Sequence, residues 1–232
     1  MALAVEQHWP ADAPLDGTVI TRYAHGLLTN RITVVEAGHP VPDEAGAAAA
    51  KRILDSVKRL SRDDLLLVLV SGGGSSLFSL PVETIAMADL RAITRELLRC
   101  GAAIQEINTV REHLSTVQGG RLAAACKAKI LALVISDVTG DDPTHVASGP
   151  CAPDPTTFQD ALDILTRYQC RIPEAVMETL ARGIRGELAE TPKPGDKVFA
   201  KTENRVIATA HQSLAAAAKF FEANGVRAAI LG

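Results

Sequence analysis

The stretch that decides the expected fold is LLLVLVSGGGSS, residues 65–76. Its first six residues are all apolar, which is typical of a strand covered on both faces in a parallel sheet flanked by helices. The glycines that follow lack a Cβ atom, so the backbone can turn sharply and bring its N–H groups close to a ligand. Open α/β sheets bind ligands at the carboxyl ends of their strands, and glycine-rich turns with hydroxyl groups suit phosphate or another anion. We therefore predict an anion-binding loop formed by Ser71, Gly72, Gly73, Gly74, Ser75 and Ser76.

The glycine run does not by itself identify the anion. It lacks the lysine of a GxxxxGK[ST] loop and the spacing of a GxGxxG fingerprint. A turn that only reverses the chain direction is the alternative at this point.

The composition is that of an α/β enzyme domain and argues against several classes of partner. The chain has 232 residues, of which 47% are hydrophobic and 22% charged. A net charge of −3 and an aromatic content of 3% offer neither the basic surface nor the stacking platforms of a nucleic-acid-binding protein. No apolar run approaches the roughly 20 residues of a membrane helix, and no signal peptide is recognisable. We expect a cytoplasmic protein without nucleic-acid or membrane partners.

Four cysteines lie far apart and show no CxxC spacing, so we expect reduced, mostly structural thiols.

Hydrophobic periodicity divides the chain into alternating strands and helices. We predict strands at 17–23, 31–37, 65–70, 130–136, 205–210 and 226–231. We predict helices at 1–9, 44–60, 81–88, from the cap Asp89 to about 100, and at 102–114, 121–127, 157–169, 173–185 and 211–223. This alternation implies parallel strands with right-handed crossovers. The expected fold is a single three-layer α/β/α Rossmann-like domain, residues 1–232, with a mainly parallel sheet.

A second buried strand, 130–136, also ends in a polar turn, SDVTGDDPTH. If the two strands are neighbours, both turns meet at one edge of the sheet. Asp137, Asp141 and Asp142 supply the oxygen ligands that suit Mg²⁺ beside a substrate phosphate. For any one of these aspartates, capping of a helix that begins near Pro143 is at least as good an interpretation.

A third polar group lies on the helix at 102–114. Arg111 suits a pair of carboxylate or phosphate oxygens, and His113 can move a proton near neutral pH. Asn108 lies within one turn of Arg111. A solvated helix face explains these residues almost as well. The histidines at positions 25, 39, 145 and 211 are individually uninformative, because a lone histidine in a turn or cap is usually structural.

Five ordered segments carry a family resemblance. They are SGGGSS (71–76), GAAIQEINTVREHLS (101–115), QGGRLA (118–123), ISDVTGDD (135–142) and ASGPCAPDPTTF (147–158). Together they resemble the glycerate 2-kinase family, also called type II glycerate kinases, many members of which are labelled hydroxypyruvate reductase. The resemblance implies transfer of the γ-phosphoryl group of ATP to the 2-hydroxyl of D-glycerate with Mg²⁺. It also implies a cleft between a Rossmann-like domain and a second domain.

The resemblance further implies roles for individual residues. Ser71 to Ser76 would face phosphate, while Asn108 and Arg111 would bind substrate. Arg111, His113 and Asp137 are the implied catalytic residues. The phosphate and metal region would be lined by Ser136, Asp137, Asp141 and Asp142, of which the three aspartates are the implied metal ligands.

The chain also departs from the family pattern. A family lysine in a GKAA-like motif would precede Met1, and the family's C-terminal MOFRL domain would follow Gly232. Glu112 stands where the family often has lysine, and Cys151 where it has threonine. We therefore expect the first domain of a two-domain kinase, truncated at both ends, with slow or absent turnover alone. The oligomeric state is left open, a homodimer included.

Two other functions are weighed against the kinase. One is an NAD(P)H-dependent hydroxypyruvate reductase, against which the absence of a GxGxxG fingerprint counts. The other is a folded module that binds nucleotide without catalysis.

Overall fold

The computed structural model of the protein describes residues 1–230, which form five strands and nine α-helices. The strands are β1 (Gly17–Arg22), β2 (Ile32–Ala37), β3 (Leu65–Val70), β4 (Lys129–Ile135) and β5 (Thr202–Ala208). The helices are α1 (Ala2–His8), α2 (Glu44–Arg59), α3 (Gly74–Leu77), α4 (Met87–Arg99), α5 (Ile104–His113), α6 (Arg121–Ala125), α7 (Phe158–Arg167), α8 (Glu174–Ile184) and α9 (Ala210–Ala223). The predicted α/β class is confirmed.

All strand pairs are parallel, as predicted, but the described strands form two sheets. β1 pairs with β2, with Gly17 opposite Ile32. β3, β4 and β5 form the other sheet in that order, with Leu65 opposite Lys129 and Ile130 opposite Thr202. Which strands pair depends on contacts between distant segments, so the alternation of elements could not separate the two sheets.

Two apolar cores support these elements. One is built from helices, where α4, α5, α7 and α8 meet around the fully buried residues Leu97, Val110 and Phe158. The other joins α2 and α6 to the β3–β4 sheet around Leu54, Leu122 and Ile130. The helical core fixes the position of α5, which bears Asn108, Arg111 and His113.

A small third core lies directly beneath the glycine loop. Val70 at the end of β3 and Val134 near the end of β4 pack with Val146 and Ala147. The carboxyl ends of these two neighbouring strands therefore meet the segment around residue 147 at one place.

Two predicted features before α4 are wrong. Residues 81–86 do not form a helix, because Pro81 bridges to Ser115 and the Val82 N–H donates to Leu114 O at 3.0 Å. α4 begins at Met87, and Asp89 is its third residue instead of its cap. The Asp89 carboxylate accepts from the Ala86 N–H at 3.1 Å.

The end of the chain also differs from the prediction. Residues 226–230 form no strand, because no described strand pairs with them, and the remainder of the predicted strand lies outside the described residues. No α-helix begins near Pro143: residues 143–145 form a turn, and only a short 3-10 helix, Val146–Ser148, follows. Among residues 1–230, no helix combines the length and the apolar character needed to cross a membrane.

Candidate active site

The glycine loop is covered by side chains from two other loops. Asp137 follows β4, and a Cβ atom at Gly72 would lie 1.8 Å from its Oδ2 atom. His39 follows β2, and a Cβ atom at Gly73 would lie 2.8 Å from its Nε2 atom. Gly73 also has a φ of 80°, in the left-handed region that side chains disfavour. Glycine is therefore required here so that Asp137 and His39 can lie against the backbone.

The loop leaves backbone donors free. Gly74 N–H donates to Ser71 O and Ser76 N–H to Gly73 O, both at 3.4 Å. By contrast, the N–H groups of Gly72 and Gly73 have no acceptor within residues 1–230. These two donors are therefore unpaired among the described residues, and their binding of an anion stays a prediction.

A polar link runs beneath the loop. The Ser148 hydroxyl lies 2.9 Å from Ser75 Oγ and 3.1 Å from Asn108 Oδ1. The Gln118 amide donates to Ser75 O at 2.8 Å. Asn108 lies under the loop beside Ser148 and is only 2% exposed. Its contact with substrate stays a prediction.

The segment that supplies Ser148 has an unusual backbone. Ala147, Ser148 and Gly149 have φ values of 54°, 56° and 51°, and the left-handed region costs a residue with a side chain about 1–2 kcal/mol. Gly119 N–H donates to Ser148 O at 2.9 Å and Gly120 N–H to Gly149 O at 2.7 Å. These bonds hold the segment against the turn at Gly119 and Gly120, while the Ser148 hydroxyl joins it to the glycine loop. Ser148 lies in a motif that carried the resemblance, but nothing in the sequence indicated its role.

Arg111 lies one turn beyond Asn108 on α5. Its guanidinium is largely buried, and this burial lowers its pKa to about 10. No carboxylate of residues 1–230 lies within ion-pair distance of it. A desolvated cation without a counter-ion is suited to bind an anionic ligand.

His113 is fully buried instead of facing a ligand. Its Nδ1 lies 2.9 Å from Thr109 O, and its Nε2 lies 3.1 Å from Glu190 Oε2 and 3.7 Å from Asp154 Oδ2. Its ring packs edge-on against Phe158, with the ring centroids 4.9 Å apart. These surroundings favour a structural role, and the predicted catalytic role stays untested.

Glu112 is buried beside another carboxyl group. It is 6% exposed, and burial together with the neighbouring Asp154 carboxylate raises its pKa to about 9. The carboxyl group is therefore protonated at neutral pH, a state that lets it donate a hydrogen bond to Asp154.

The three aspartates predicted as metal ligands lie in different environments. Asp142 Oδ1 accepts from the Thr144 N–H at 2.9 Å and its hydroxyl at 2.8 Å, and these bonds lower the pKa of Asp142. Asp141 has a φ of 53° within the same turn. Among residues 1–230, no three His, Cys, Asp or Glu side chains gather closely enough to hold a metal ion. Asp137 is the exposed carboxylate that lies at the glycine loop.

Comparison with known proteins identifies the family. The model of a family described as a domain of unknown function, DUF4147, matches residues 1–181. The chain belongs to this family.

Relatives in this family carry kinase and reductase names. A glycerate 2-kinase of Pyrococcus horikoshii is 47% identical over 195 residues, which cover 83% of this chain and 44% of that protein. An Agrobacterium vitis protein, provisionally named a hydroxypyruvate reductase, is 46% identical over 233 residues, covering 100% of this chain and 51% of that protein. The predicted resemblance to glycerate 2-kinases is confirmed.

A solved structure of a glycerate kinase also matches this chain. The crystal structure of a glycerate kinase from Thermotoga maritima matches with a TM-score of 0.78 at 40% identity, covering 90% of this chain and 49% of that one. The chain thus spans about half the length of the relatives it matches.

Proposed function

We propose that this chain carries the phosphate-binding half of an ATP-dependent glycerate 2-kinase. Such an enzyme transfers the γ-phosphoryl group of ATP to the 2-hydroxyl of D-glycerate and forms 2-phosphoglycerate. The observation that supports this most strongly is the glycine loop, whose two free N–H groups lie beside Asp137. The kinase names of the relatives support the choice of reaction.

Phosphoryl transfer depends on positioning and on neutralisation of charge more than on covalent chemistry by the protein. The free N–H groups of Gly72 and Gly73 would donate to phosphate oxygens. Arg111 would bind the carboxylate of glycerate or a phosphate oxygen through its planar fork. Asn108 and Ser148 would keep the loop in place from below, and His113 would hold the end of α5.

Asp137 fits the single-carboxylate type of Mg²⁺ site. Mg²⁺ at phosphate-transfer sites is commonly bound by one or two carboxylates together with substrate phosphates and several waters. An exposed carboxylate directly against the phosphate loop meets that requirement without a cluster of three acidic side chains. Bound there, Mg²⁺ would neutralise charge on the phosphate groups. Contributions from Asp141 and Asp142 stay predictions.

The chain matches about half of each relative, and we propose that it is one domain of a two-domain enzyme and turns over slowly by itself. The cytoplasmic location and a homodimeric state also stay predictions. The NAD(P)H-dependent reduction of hydroxypyruvate is the competing reaction, since it is the name that the Agrobacterium vitis relative carries.

The test is a coupled assay of ADP release with D-glycerate and Mg·ATP at high protein concentration. We expect slow ADP release with equimolar 2-phosphoglycerate, and loss of most of this activity in Asp137→Asn. Asp63→Asn, an exposed aspartate before β3, is the matched control and should behave as wild type. Oxidation of NADH or NADPH with hydroxypyruvate, without glycerate-dependent ADP release, would establish the reductase instead.

A further inference from the structure

We propose that His39, and not His113, which was predicted to be catalytic, is the histidine that meets the ligand, and that it binds phosphate at the glycine loop. This assignment rests on the proposed function, because it concerns the same anion site. It follows from where the two imidazole rings lie.

The ring of His39 lies against the loop. Its Nε2, Cδ2 and Cε1 atoms lie 2.8, 3.0 and 3.7 Å from the position that a Cβ atom of Gly73 would take. The Nε2 edge of the ring is thus the part nearest to the loop backbone. His39 is exposed, and neither ring nitrogen has a hydrogen-bond partner within the described part of the chain. A donor beside two free backbone N–H groups is suitably placed for a phosphate oxygen.

His113 offers no comparable nitrogen. It is fully buried, and both its ring nitrogens already face oxygen atoms of Thr109, Glu190 and Asp154. A ligand would have to displace one of these partners to reach the ring. Of the two histidines, His39 alone has both an exposed ring and contact with the loop.

Through His39, the β1–β2 sheet also contributes a side chain to the candidate site. His39 follows β2, whereas the loop and Asp137 follow β3 and β4 of the other sheet. Gly72 makes room for Asp137 and Gly73 makes room for His39, so two adjacent glycines are each required by a different neighbour. The imidazole would donate an N–H to phosphate at Gly73, and the Asp137 carboxylate lies at Gly72.

The experiment uses the whole chain with histidines labelled for NMR and inorganic tripolyphosphate, with Mg²⁺, as the probe. We expect the His39 ring signals to shift on titration and those of His113 to stay in place. His39→Ala should weaken binding about tenfold, or about 1.4 kcal/mol, because it removes a hydrogen bond to a charged group. His8→Ala, on α1, is the matched control and should bind as wild type.

The outcomes separate the two proposals. If wild type binds tripolyphosphate while the His39 signals do not move and His39→Ala binds equally well, the assignment to His39 is wrong and the anion loop stands. If wild type does not bind the probe, the anion loop and the His39 role both fail. Should His39→Ala not fold, the shift of the wild-type signals decides the matter alone.

Discussion

Replacement of Glu112 by glutamine should make the protein more stable, and increasingly so as the pH rises. Glu112 is 6% exposed, and burial and the Asp154 carboxylate raise its pKa to about 9. In the unfolded chain a glutamate titrates at about 4.3. Glutamine has nearly the same shape and can donate to Asp154 as the protonated acid does, but it cannot ionise.

The sign follows from the raised pKa. Between about pH 4.3 and pH 9 the folded protein keeps a proton on Glu112 that the unfolded chain has released. The free energy of unfolding of wild type therefore falls with rising pH in this window, by up to about 1.4 kcal/mol per pH unit. From pH 5 to pH 8 the free energy of unfolding of wild type falls by about 4 kcal/mol relative to that of Glu112→Gln. A difference half as large would be readily measured.

The assay is urea unfolding of wild type and Glu112→Gln at several values between pH 5 and pH 8. Groups that titrate in both proteins cancel in the difference, so the divergence of the two curves reports on Glu112. Glu222→Gln, on the exposed face of α9, is the matched control and should follow wild type. Parallel curves for wild type and Glu112→Gln would refute the idea that Glu112 is buried in its neutral form.

Three further substitutions test the site. Arg111→Met should reduce glycerate-dependent ADP release about tenfold or more and raise the melting temperature, because it removes a desolvated cation that has no counter-ion. Steady-state kinetics measures the first effect and thermal melting the second. Wild-type activity in Arg111→Met, or a lower melting temperature, would count against the role of Arg111 as an unpaired anion-binding cation. Ser148→Ala should cost about 1 kcal/mol in urea unfolding, because it breaks the link from Ser75 to Asn108; an unchanged midpoint would show that the link is weak. Gly72→Ala should displace the Asp137 side chain and raise the Mg²⁺ concentration needed for half-maximal ADP release, whereas an unaltered requirement would place the metal elsewhere.

Most elements of the fold could be predicted from the sequence because their signals are local. The apolar run of β3 and the stripe of α4 were identified at nearly their observed bounds. The errors occurred where a distant partner decides the conformation. Residues 81–82 are held extended by the backbone around Leu114, and residues 226–230 pair with none of the strands that the structure describes.

In the candidate site, too, the features set by local sequence were predicted and those set by distant contacts were not. The glycine loop and Asp137 were predicted and lie together, because they follow two adjacent strands of one parallel sheet. The burial of a histidine, however, is a property of tertiary packing. His113 lies in a promising motif yet is enclosed by segments more than 40 residues away, whereas His39 lies in an ordinary proline-containing turn yet contacts the loop.

The most direct test of the central claim, that the glycine loop binds the phosphates of ATP, is calorimetric titration with Mg·ATP. Gly73→Val places a side chain at a φ of 80° and against the His39 ring. Gly186→Val matches the backbone strain, since Gly186 has a φ of 75° but nothing within 4 Å of its Cβ position. We predict that wild type and Gly186→Val bind Mg·ATP alike and that folded Gly73→Val binds about tenfold more weakly or not at all. Equal affinity in folded Gly73→Val, or no binding by wild type, would contradict the account.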